Sequence, residues 1–441
     1  MYMNRILKYS AFIFWVGVGC LFWWNCAKDD DRKGSRTTVD DETIVFKHFK
    51  LANAAEQFDK AIKQFEELHP GVRVIEEVLP SNTNMQHQYY ATSLQAGSDE
   101  FDVFLIDVIW TPEFSLAGWL EDVSDLVPLE ERDAFLQAPI QANTYQGKLY
   151  AVPWYVDGGI LFYRKDLLQK YNFEPPATFK ELTRQAQFIL KKEKRDDLYG
   201  FLWQGKQYEG LICAANEIIA GFGGDILDAE NRLHLTDQKS LQALRWMRDT
   251  IHKYKISPDW VTTADEEVTR LSFMNGDCLF LRNWPYCWSF FQRNDSPVKG
   301  KVGVALMPTV AGEKGASTLG GWQMAINHYS AKKELARKFV TFMTSAETQL
   351  QFALTVGTKP SRKKVYQNAR LQEQQPFIVQ LYDVLRATRP RPMTPFYPQM
   401  SQVLQVEFSA AISKIRPVKQ AMAMAEQQIY HILELEERVK Q

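Results

Sequence analysis

The chain has 441 residues, 45% hydrophobic and 24% charged, so it is globular rather than disordered and too long for one hydrophobic core. Lys and Arg number 52 against 53 Asp and Glu, a balance that leaves no electrostatic footprint for nucleic acid. The 12 tryptophans raise the question of whether some rings face a ligand.

Taken in chain order, the first residues set the compartment. MYMNRILKYS carries Arg5 and Lys8 and no acid, AFIFWVGVGCLFWW (11–24) is continuously apolar, and NCAKDDDRKG turns abruptly polar. A charged start and an apolar run shorter than the roughly 20 residues of a spanning helix make an export signal over 1–26. Cys26 stands where the apolar run stops and is read as the lipid-attachment site, with Cys20 as its competitor. An uncleaved short anchor is the alternative. Residues 27–42 are then a polar tether.

ETIVFKHFKL reads as a first strand, and 52–71 as an amphipathic helix with Phe58, Ile62, Phe65 and Leu68 on one face. A strand over 72–80, a second helix stopping at Gly97, and the apolar strand FDVFLIDV (101–108) follow. Strand, helix, strand, helix, strand is the pattern of an α/β layered domain. Leu149 to Val152 reads as a strand interrupted by Pro153, then Ile160 to Tyr163 as strand and Lys165 onward as helix. Thr178 and Glu181 form a capping box at the start of another helix. The segment 196–260 reads as largely helical, 300–309 as a buried strand, 330–362 as two helices and a crossing loop, and the C-terminus as helical.

One stretch resists a purely packing account. FMNGDCLFLRNWPYCW (273–288) has a turn at Asn275-Gly276-Asp277, an apolar strand, then Trp284, Tyr286 and Trp288. Pro285 stops the ladder, which places the rings on a loop at the strand end. Cys278 and Cys287 flank this stretch and have a spacing that permits pairing in an oxidising compartment. There is no CxxC, the seven His are scattered, and neither a metal site nor a cofactor is read.

Several patterns then fall in one order: FDVFLIDV, YAVPWYVDGGILFYRKDLL, FMNGDCLFLRNWPY, LGGWQMAI, KPSR and TRPRPMTPFYPQM (388–400). In that order and spacing the chain, over roughly 43–420, resembles the family-1 extracellular solute-binding proteins, the maltose/trehalose-binding group of bacterial ABC importers. The resemblance implies a two-lobe periplasmic-binding-protein-like fold of type II, with hinge crossings and a ligand between the lobes. The lobes would be 43–152 with 306–357, and 153–305 with 358–441. It implies a sugar ligand, a membrane permease as partner, an exported monomer held to the membrane by lipid, and no enzymatic activity.

A sugar offers apolar ring faces and a rim of hydroxyls, so it needs flat aromatics and convergent polar groups. Trp284 and Tyr286 are read as stacking rings, though lobe packing competes for both. Gly321 permits a close approach of backbone, and the resemblance puts Trp322 beside the ligand. It also places Asp107 and Asp157 on hydroxyls and Arg391 as a clamp, with Arg389 competing. Tyr155 and Trp154 sit at one crossing, where one of them reaches the ligand. Trp110 has equal claims to cleft and core. Glu56 stands at the start of the first helix, where either a ligand or the helix dipole suits a carboxylate. Met393 is read as packing. Rival functions are a receptor for a glycerol-phosphate ester, which would want basic groups, and a glycosidase using Asp107 and Asp157. A sensory rather than a transport role has the same ligand chemistry.

Overall fold

The computed structural model describes residues 42–440 apart from 52, 81, 229 and 316. The export signal, its cysteines and the tether as far as residue 41 lie outside the described residues. The first strands are β1 Thr43–Phe49, β2 Arg73–Leu79 and β3 Val103–Asp107. A small hairpin, β4 Thr144–Tyr145 and β5 Lys148–Leu149, precedes β6 Ala151–Gly158. Then come β7 Ile160–Arg164, β8 Tyr199–Leu202, β9 Cys278–Asn283, β10 Val302–Ala305 and β11 Leu319–Ile326.

The fold is α/β with two lobes, each built on a mixed sheet. The first sheet has the order β2-β1-β3-β11-β6 and the second β10-β7-β9-β8. β1 pairs in parallel with β2 and β3, which requires long crossovers, and the helices Ala55–Leu68 and Thr83–Gln95 supply them. Phe58, Ala61, Ile62 and Phe65 are buried on the first of these helices. Leu68, expected on the same face, is 61% exposed. Ten residues from Phe58 is about 2.8 turns, which carries it off the buried line.

Pro153 does not interrupt its strand. β6 runs through it, at the edge of the sheet, and the register against β11 shifts between Trp322 and Gln323 so that Trp154 is the extra residue. An edge strand with a bulge is where a residue without an N–H is tolerated. The bulge turns Trp154 into the core, against Phe58 and Phe352. β6 ends at Gly158 and β7 begins at Ile160, so one residue joins the two sheets there.

The segment 196–260 contains β8 as well as the helices Glu209–Gly221 and Gln238–His252. The capping box forms: Glu181 N–H donates to Thr178 Oγ1 at 3.1 Å and Thr178 N–H to Glu181 Oε2 at 3.0 Å. β9 ends at Asn283 and Trp284 and Pro285 follow it as a loop, but the loop is shorter than expected: Tyr286 caps the helix Cys287–Phe291 and Trp288 lies within that helix. Cys213, Cys278 and Cys287 are buried free thiols, so the 278–287 pairing is not made.

Candidate functional site

The registers of the first sheet bring the singled-out residues together. Asp107, the last residue of β3, lies opposite Trp322 on β11, and Trp322 lies opposite Tyr155 on β6. Laterally paired residues share a face, so these three make one row across three strands. Two positions further along β6, Asp157 faces Gly320. A Cβ on Gly320 would come within 3.0 Å of the Trp284 ring and 3.5 Å of the Asp157 Cβ, so the bare backbone admits the ring from the end of β9. Gly321 has a φ of 113°, and any side chain there would overlap the Tyr155 carbonyl oxygen. Trp322 packs on Phe49 with centroids 4.1 Å apart and edge-on to Trp110 at 5.6 Å.

Charges close this row on two sides. Arg391 is buried and spans segments far apart in sequence. Its Nη1 donates to Glu209 Oε1 at 2.6 Å, and its Nη2 to Asp107 Oδ1 at 3.2 Å and to the Leu319 carbonyl at 3.3 Å. Its Nε has no protein partner. Glu209 also accepts from Tyr397 Oη at 2.6 Å and from the Ser401 hydroxyl. On the other side, Lys359 Nζ is 3.2 Å from Asp157 Oδ1, close enough for an ion pair yet without an aligned hydrogen bond to that oxygen. Lys359 is fixed by its backbone, whose carbonyl accepts Val156 N–H at 2.9 Å. Burial pushes the Asp107 carboxyl above its usual range against the pull of Arg391, and pushes Asp157 up against Lys359. Three largely buried carboxylates thus face two buried cations.

Other expected residues lie elsewhere. Glu56 is on the solvent face, its side chain 82% exposed and paired with Lys60 one turn along the same helix at 2.7 Å. Its neighbour Gln57 is the buried one, accepting from Thr355 Oγ1 at 3.1 Å. Tyr286 turns to the helix Glu266–Met274, its hydroxyl donating to Glu267 Oε1 at 2.6 Å. Trp110 and Trp154 are core residues. Arg389 pairs with Asp225 at 2.9 Å on an exposed flank. Met393, read as packing, is 52% exposed.

Sequence reading passed over Glu209, Lys359, Glu266 and Arg282. Arg282 had a signal, a charge inside the apolar run Cys278–Asn283. Lys359 stood in the KPSR pattern without a role being read for it, and Glu209 had no signal, because its partner Arg391 is remote in the chain.

The family model of the bacterial extracellular solute-binding proteins matches residues 51–350. The chain belongs to this family. Among its relatives in the family, a Deinococcus radiodurans protein named "Probable ABC transporter-binding protein" is 37% identical over 348 residues, 78% of this chain and 81% of that one. Maltose-bound MalE3 of T. maritima superposes with a TM-score of 0.83 at 37% identity, over 88% of this solute-binding protein and 99% of the other. A Thermotoga lettingae solute-binding protein bound with α-D-tagatose gives 0.78 at 25% identity, over 89% and 100%. Among the described residues no helix is long and apolar enough to cross a membrane.

Proposed function

We propose that this solute-binding protein is the exported receptor of an ABC importer, and that it takes a disaccharide of the maltose or trehalose type between its lobes and presents it to the membrane permease. The reading rests on the row Asp107, Trp322, Tyr155 with Asp157 and Trp284 beside it. It offers rings for sugar faces and, in Arg391 Nε and Asp157 Oδ1, a buried donor and a buried acceptor for hydroxyls. Similarity to a maltose-bound protein supports the same class. The excess of carboxylates over cations disfavours a phosphate ester, whose charge would meet Asp107, Asp157 and Glu209. Nothing in the arrangement calls for turnover, because hydroxyl recognition already employs both aspartates.

In this reading the lobes are those drawn from the sequence, 43–152 with 306–357 and 153–305 with 358–441, except that the first crossing is moved from 152/153 to Gly158–Gly159, because β6 runs on to Gly158; the sugar is held as the hinge closes. Cys26 carries the lipid, and the protein acts as a monomer. The test is calorimetric titration of a chain starting at residue 28 with maltose, trehalose, sucrose, tagatose and glycerol 3-phosphate, with tryptophan emission followed in parallel. A disaccharide binding tightest supports the proposal. Tagatose binding tightest moves it to a smaller sugar, and a response to the phosphate ester alone refutes the sugar class.

A further inference from the structure

A second buried ion pair lies behind the ring that the functional reading employs. Arg282 and Glu217 are both wholly buried, and they meet through two hydrogen bonds, Nε to Oε2 at 2.7 Å and Nη2 to Oε1 at 2.6 Å. Arg282 Nη1 donates to Gln204 Oε1 at 2.9 Å. The guanidinium lies over the Trp284 ring, 4.3 Å from its centroid. Glu217 Oε1 also accepts Thr318 N–H at 3.2 Å, one residue before β11. A side chain at Gly159, the single residue between β6 and β7, would overlap both the Glu217 carboxylate and the Arg282 guanidinium. Trp284 Nε1 donates to Glu266 Oε1 at 3.4 Å at the ring's edge, while the guanidinium is the charged group over its π face.

A bidentate pair with no water access is rigid, and breaking it leaves an uncompensated buried charge. This one touches the ring and two of the chain crossings at once. We infer that Arg282, held by Glu217, is a positioning residue that ties the orientation of Trp284 to the crossing strands, so that stacking of a sugar on the ring and closure of the lobes are coupled. The inference rests on the functional reading, in which Trp284 contacts the ligand. Arg282 itself touches no ligand; it acts through the ring.

The experiment is a thermodynamic cycle on the full-length chain with the disaccharide that binds the wild type. Arg282→Met with Glu217→Gln removes both charges together, keeps the volume and leaves an acceptor for Thr318 N–H. Affinity is measured by titration, small-angle scattering follows closure, and circular dichroism confirms folding. The double change is expected to weaken binding by about tenfold or more. In a Trp284→Ala background it is expected to cost less than about twofold, within the range of independent sites. Arg282→Lys, which keeps the charge and loses the planar fork, serves if the double variant fails to fold, and is expected to show the same background dependence. Equal penalties in both backgrounds would overturn the inference alone, since a merely structural pair acts whether or not the ring is present. An unchanged affinity in the double variant overturns it too. A wild type silent toward every sugar would remove the functional reading, and this coupling with it.

Discussion

Gly320 and Gly321 are adjacent, and they do different work. At Gly321 the backbone is in a region that side chains avoid, and a Cβ has no room beside the Tyr155 carbonyl. Gly321→Ala should therefore destabilise the fold by about 2–5 kcal/mol, combining backbone strain with overpacking, as read from urea unfolding. At Gly320 the obstacle is a side chain, the Trp284 ring at 3.0 Å, which can yield. Gly320→Ala should leave unfolding nearly unchanged while weakening sugar binding about tenfold. The reverse pattern would show that Trp284 is packing only. Lys359 gives a third test. With Lys359→Met, Asp157 is left buried without its cation, at a cost of about 3–5 kcal/mol near neutral pH. Burial already raises the Asp157 carboxyl above its ordinary value of 3.8. The folded state thus holds that proton at a higher pH than the unfolded chain does. The penalty should be full above the raised value and shrink as pH falls through it toward 3.8. A penalty independent of pH would mean that the lost methylene packing, not the charge, matters.

At the scale of elements, the loop between the helices Glu209–Gly221 and Gln238–His252 carries its own titrating clamp. His234 Nδ1 is 2.8 Å from Asp237 and its Nε2 3.0 Å from Asp228, so a doubly protonated ring satisfies both carboxylates. Its proton affinity is raised above the ordinary 6.5, through Asp228 first and then Asp237. The stabilisation is complete below 6.5 and is lost as pH rises through the folded value. The thermal midpoint should fall as pH rises from 6.5 through that raised value in the wild type and show less of that slope in His234→Gln; identical slopes would exclude the clamp. Local signals of this kind are also what the sequence makes legible. The capping box at Thr178 and Glu181, the helix–strand alternation up to β3, and the loop after β9 are each written within a few residues. The course of β6 through Pro153 is not, because an edge position and a bulge are properties of the finished sheet. Glu56 illustrates the limit from the other side: a carboxylate in a first helical turn is equally suited to a ligand and to Lys60, and spacing alone does not separate them. The partners of Arg391 lie 182 and 284 residues away, so its residue type was readable and its contacts were not.

For the whole molecule, the question is what favours the closed arrangement. Arg391 binds Asp107, on the first sheet, and Glu209, on a helix of the second lobe, with the two arms of one guanidinium. In the proposed hinge closure this would be a differential contact, lost once Asp107 and Glu209 move apart. A ligand shifts a hinge equilibrium by no more than its preference for one state, and a protein contact made only on closure adds to the same side. Arg391→Lys keeps the charge but cannot hold two carboxylates in the geometry of a fork. The variant should bind its sugar about tenfold more weakly, yet reach the same compact radius of gyration once saturated, because ligand binding can still supply the closing energy. Scattering at rising ligand concentration separates the possibilities. A wild-type affinity would mean that the fork is silent in closure. A saturated variant that stays extended would mean that Arg391 is required for closure itself, rather than for its balance.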